Sequence, residues 1–153
     1  MNRLLQLGWS LRRRVIGALR LRTRGVKVML FNGRGELLLI RNGYGNTDLF
    51  VLPGGGVGWR EEPAAAAARE LAEEVGISAA GLRLLGTYHS GAEGKRDTIS
   101  LYHGCSDQPL HIDGCEVSEA AFFTPGNLPE ATSPATRRRV AEWLAGGPFG
   151  GAW

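Results

Sequence analysis

Residues 63–76, PAAAAARELAEEVG, leave the chain little choice of local conformation. Pro63 suits the first position of a helix, where a missing N–H costs nothing. Gly76 suits the residue just beyond a helix, which is commonly left-handed. The alanine run between them is a strong helix former, and its small side chains allow close approach to a sheet. Ala64, Ala67, Ala68, Leu71 and Val75 recur at helical spacing and predict an apolar stripe packed on a core. The helix also carries Glu70, Glu73 and Glu74, three carboxylates within five positions. At spacings of three and four they share one face.

Like charges so close repel unless something positive sits on them. A hard divalent cation suits this donor set, because Mg²⁺ takes oxygen ligands and keeps waters and phosphate oxygens in its shell. Helix spacing alone fits a solvated acidic face equally well.

The wider spacing is more specific. Gly55 is followed by five residues, Glu61, seven residues, Arg69-Glu70-Leu71, one residue, Glu73-Glu74, one residue and Gly76-Ile77. This segment resembles the Nudix box, the signature of the Nudix hydrolases, and matches it at every defining position. Leu52 to Val57, LPGGGV, also resembles the family ahead of the box. Gly58 and Arg60 stand where the family often has an acidic residue and a glycine, and neither position is a defining one.

The resemblance, MutT-like and without a subfamily, implies an α/β fold, an α/β/α sandwich around a mixed β-sheet. It implies a pyrophosphohydrolase acting on a nucleoside diphosphate linked to another group, with Mg²⁺ or Mn²⁺ as cofactor. Glu73 and Glu74 are then the central metal ligands, joined by the backbone carbonyl of Gly55. Glu70 either binds metal or takes a proton. Glu61 and Arg69 form an ion pair that braces the loop against the helix. Some members of the family take the base or an extra ligand from outside the box, and the candidates here are Glu116, ranked first, Glu93, ranked second, Asp97 and Glu119. Each of these is equally readable as a surface carboxylate.

At 153 residues, with 43% hydrophobic and 22% charged residues, the chain suits one globular domain. Its net charge of +3 hides an asymmetry. Residues 1–24 hold seven arginines and no acid, whereas the remainder nets −4. Leu4, Leu5, Leu11, Val15, Ile16 and Leu19 give this segment an amphipathic helical pattern. Arg12 to Arg14 interrupt it too early for a signal peptide, and it is too short and charged for a membrane span. It reads as a helix docked on the domain or on a second copy, leaving a homodimer open. Binding of anionic lipid or of nucleic acid is less favoured. Cys105 and Cys115 make no disulfide framework, and a cytoplasmic location is expected. The histidines His89, His103 and His111 are scattered and predict no metal site.

Elsewhere the pattern predicts strands at 26–31, 36–41, 49–52, 82–89, 98–104 and 119–123, the first two forming a hairpin. Ser133-Pro134 predicts the start of a second helix running to Gly146. The domain is expected over 25–146, with a frayed tail at 147–153. Arg60 is a candidate phosphate contact or a solvated side chain. Tyr44 and Phe50 are candidates for stacking on a base, or for filling the sheet edge or core. No marker selects the substrate. Two alternatives stand beside a small-molecule hydrolase. One is a nucleotide sensor without turnover, and the other is an RNA 5′-end pyrophosphohydrolase.

Overall fold

The computed structural model describes residues 23–45, 47–91 and 97–153. The expected N-terminal helix, apart from Thr23 and Arg24, lies outside them. Seven strands and two helices follow in order: β1 (Arg24–Phe31), β2 (Leu37–Asn42), β3 (Gly54–Gly56), α1 (Pro63–Val75), β4 (Arg83–Ser90), β5 (Asp97–Cys105), β6 (Val117–Phe123), α2 (Pro134–Leu144) and β7 (Gly151–Ala152). All strands join one mixed sheet in the order β6-β2-β1-β5-β4-β7, with β3 paired to β1.

Strand alternation sorts the core into two layers. Val26, Val28, Leu30, Leu38 and Ile40 face α1 and pack with its Ala66, Ala67, Leu71 and Val75. Met29, Leu37, Leu39 and Leu101 face the other way and pack with Val140 of α2, and Phe31 stacks on Trp143. The sheet therefore lies between two helices, as the α/β/α expectation requires. Ser133 caps α2, its hydroxyl accepting from the Thr136 N–H at 3.2 Å. Gly76 ends α1 at φ +71°, where a Cβ would come within 2.8 Å of His111.

Three expectations need correction. Ala64 is exposed, and the buried row of α1 is Ala66, Glu70 and Glu74 beside Ala67, Leu71 and Val75. The apolar stripe is thus narrower than the sequence suggests, and two carboxylates share its face. Residues 49–52 make no strand of their own: Phe50 and Val51 form only isolated bridges, to Thr132 and Ile40. The strand at this point is instead the triple glycine β3. The tail is not frayed either. β7 pairs parallel with β4, and Trp153 packs edge-on against Tyr88 at 5.4 Å.

One feature of the sheet positions the site. β1 meets β2 only at its far end, Phe31 opposite Leu37, and β3 takes the same edge at the near end, Gly25 to Lys27 opposite Gly56 to Gly54. The chain passes from β3 directly into the loop before α1. The box glycines are thereby hydrogen-bonded to the sheet at the point where α1 crosses it.

Candidate active site

Arg69 organises the site. Its Nε and Nη2 donate to the two oxygens of Glu61 at 2.7 and 2.9 Å, a bidentate fork. Nη2 also donates to the Gly56 carbonyl at 2.9 Å. Nη1 donates to Glu70 at 2.8 Å and lies 3.4 Å from both oxygens of Glu73. The hydrogen bonds to Glu61, above all, raise the guanidinium pKa against the opposing effect of burial. The same bonds hold the Glu61 carboxyl below its ordinary pKa, helped by the Gly58 N–H that donates to Glu61 at 2.7 Å. One arginine thus ties the loop, β3 and two helix carboxylates together.

The three helix carboxylates differ in environment. Glu70 is 1% exposed and lies against Gly55, where an added Cβ would fall 2.5 Å from the carboxylate. Only glycine allows the box strand this approach. Glu74 is buried too, and its Oε2 accepts the Gly54 N–H at 2.8 Å. Glu73 is half-buried and is the most exposed of the three.

Lys27 was not singled out by sequence reasoning. This half-buried side chain on β1 donates to the Leu52 carbonyl at 2.9 Å. Burial lowers its pKa, while the charges of Glu74 and Glu70 oppose that shift. A single lysine in a strand carries no sequence signal. It becomes visible only through the register that sets Lys27 opposite Gly54.

Other candidates fall where they can be placed individually. Glu116 is half-buried just ahead of β6, and its carbonyl accepts the Gly43 N–H at 2.9 Å. The next residue, Val117, shares the core layer of Ala66 and Ala67. Phe50 is only 4% exposed, packed edge-on to Phe123 at 5.0 Å with Arg41 above its ring, so it fills the core and leaves the substrate-facing set. Tyr44 is 58% exposed. Arg60 is exposed. Glu93 lies outside the described residues. Asp97 accepts a hydrogen bond from Thr23 at the sheet margin, and Glu119 pairs with Arg41 at 3.5 Å.

The donors suit a hard divalent ion in kind, since every one is an oxygen and the Gly55 cradle leaves no room for a side chain beside Glu70. In the arrangement seen, no three His, Cys, Asp or Glu side chains among the described residues converge at ligand spacing. Arg69 shares Glu70 and Glu73, and the Gly54 amide holds Glu74. Among the described residues no helix is long and apolar enough to cross a membrane.

Comparison with known proteins gives the family. The NUDIX domain model matches residues 21–144. An uncharacterized Nudix hydrolase of Pseudomonas aeruginosa is 38% identical over 109 residues, 67% of this chain and 63% of that protein. A putative 8-oxo-dGTP diphosphatase of Bacillus subtilis is 30% identical over 125 residues, 81% of each chain. The crystal structure of a MutT NUDIX hydrolase from Burkholderia pseudomallei superposes with a TM-score of 0.70 at 24% identity, over 79% of this chain and 97% of that one. This last likeness speaks for the fold.

Proposed function

The chain belongs to the NUDIX family, and on that premise we propose that it hydrolyses a phosphoanhydride bond in a nucleoside diphosphate linked to another group. The observation that carries this reading is α1 crossing the glycine strand β3. That crossing sets Glu70 against Gly55 and Glu74 on the Gly54 amide, while Arg69 holds Glu70 and reaches Glu73.

Nudix enzymes generally use divalent metal ions. Glu73 and Glu74 would hold the ion here, with Glu70 and the Gly55 carbonyl completing the protein's share. When bound, such an ion neutralises phosphate charge and acidifies water. Nearly all of the protein's own contribution is then positioning. Arg69 fixes the orientation of Glu70 and the reach of Glu73. Its clamp on Glu61 keeps the loop, and with it the Gly56 carbonyl, at a set distance from the helix. In the reaction, a water oxygen bonds to phosphorus as the bridging P–O bond breaks. The departing phosphate keeps the bond's electron pair, and a carboxylate takes the water's proton. Glu70, on the box helix, and Glu116, half-buried just ahead of β6, are the two candidates for that proton.

The test is a panel of nucleotides with Mg²⁺ or Mn²⁺, read by release of phosphate or pyrophosphate and of a nucleoside monophosphate. The name of the Bacillus relative puts 8-oxo-dGTP and other nucleoside triphosphates first. Nucleotide sugars, dinucleoside polyphosphates and 5′-triphosphorylated RNA follow. Metal-stimulated turnover on any of them supports the proposal. Tight binding without turnover across the panel overturns it in favour of a nucleotide sensor.

A further inference from the structure

The loop between β3 and α1 is held at many points, yet it carries the most exposed large hydrophobic side chain described in the molecule. Trp59 is 91% exposed. Its neighbours are fixed on both sides. The Val57 N–H donates to the Arg24 carbonyl at 2.8 Å, and the Gly58 N–H donates to Glu61 at 2.7 Å. Arg24 Nη2 reaches the carbonyls of Gly58 and Glu61 at 3.3 and 3.4 Å. An indole displayed on a braced loop contributes nothing to the core.

The next residue is as unusual. Arg60 has φ +66°, making it the one residue other than glycine in the left-handed region among those described. Arginine rarely adopts that conformation, whereas glycine enters it freely. Arg60 is exposed, and among the described residues no hydrogen bond or ion pair accounts for the strain. A strained residue that the fold does not need points to a role outside the fold.

We propose that Trp59 and Arg60 form a recognition element for the substrate. The Trp59 indole stacks on an aromatic base, and the Arg60 guanidinium pairs with the phosphate chain. The proposal rests on the hydrolase reading above and deepens it, since it names what lies beyond the bond that is cut. Position supports this occupant. Glu61, two residues on from Trp59, is clamped to the arginine that holds Glu70 and Glu73. A base stacked on the loop would therefore lie at the mouth of the carboxylate site. Arg24 and Arg60 supply the cationic surroundings that a polyphosphate requires.

The experiment uses the full chain and whichever nucleotide the panel finds to be hydrolysed. W59A is expected to raise KM about tenfold, as loss of one stacked base does, while W59F recovers most of the affinity. Inorganic tripolyphosphate, which has no base, should inhibit W59A and the wild type equally. R60G should behave in the opposite way to an ordinary loss of contact. Relief of strain raises Tm by about 2–4 °C, while inhibition by tripolyphosphate weakens several-fold. If W59A leaves the nucleotide KM unchanged, or weakens nucleotide and tripolyphosphate alike, the stacking role is wrong. If R60G raises Tm with no change in tripolyphosphate inhibition, the phosphate role is wrong. Either failure leaves the hydrolase reading intact, because wild-type turnover is measured independently. Absence of any turnover overturns that reading instead.

Discussion

The Arg69 guanidinium touches Glu61, Glu70, Glu73 and the Gly56 carbonyl, so its removal is felt in both stability and chemistry. R69A leaves Glu70 almost fully buried without the Arg69 counter-charge. We expect a loss of about 2–3 kcal/mol in urea unfolding. Glu61 sets the acid behaviour of this cluster. Its folded pKa lies below the unfolded value, chiefly through Arg69. Its contribution is therefore complete above the unfolded pKa, roughly 4.3, and disappears as pH falls through the folded value. The wild type should lose Tm more steeply than E61Q as the pH drops below about 4, and parallel curves would contradict this. The Lys27 ammonium, when protonated, sets a positive charge near Glu74 and Glu70, although burial lowers its pKa. K27M should therefore bind Mn²⁺ more tightly in the absence of nucleotide, roughly tenfold, as read by Mn²⁺ electron paramagnetic resonance. At this scale the box residues were legible because their spacing is fixed by chemistry. Lys27 was not, because its meaning depends on a strand pairing that no local pattern reveals.

Among the elements, α1 could be read end to end. Pro63 opens it, Gly76 closes it at φ +71°, and both ends are local chemistry. Which face it buries was read less well. Ala64 and Ala66 look alike in sequence, and only contact with the sheet decides that Ala66 is covered and Ala64 is not. The glycine strand β3 was missed for a related reason. Three glycines have low strand propensity, and they pair here because β1 offers a free edge and Glu74 anchors the Gly54 amide. G55A tests this element directly. A methyl group 2.5 Å from the Glu70 carboxylate must displace the strand or the helix. Tm should fall, and hydrolysis should fall with it. A G55A protein of wild-type Tm and activity would show that the close approach is not required.

Across the whole molecule, the C-terminal segment closes the sheet's edge. β7 pairs with β4, and the Arg139 guanidinium lies over both the Tyr88 and Trp153 rings, 4.2 and 5.1 Å from their centroids. The same arginine donates to the Ala152 carbonyl at 3.2 Å and to Glu142 at 2.8 Å. The glycine-rich composition of 147–153 suggested fraying, because composition does not report the aromatic at the very end that secures it. Deleting residues 147–153 uncovers Tyr88 and Arg139 and should cost about 2–4 kcal/mol. Burial, and then the hydrogen bond to Glu142, push the Tyr88 hydroxyl up to about 12. Stability from the neutral phenol is therefore complete below roughly pH 10 and is lost as pH rises through about 12. Y88F should flatten that alkaline decline.

Under the proposed function, the carboxylates of α1 serve chemistry rather than solvation. Glu73 decides the matter best, since it is the most exposed of the three and its loss threatens the fold least. Steady-state hydrolysis by E73Q, on the best nucleotide of the panel with saturating Mg²⁺, should fall by about 100-fold or more at a Tm close to the wild type's. An E73Q protein that turns over every substrate at the wild-type rate would contradict the assignment of this site.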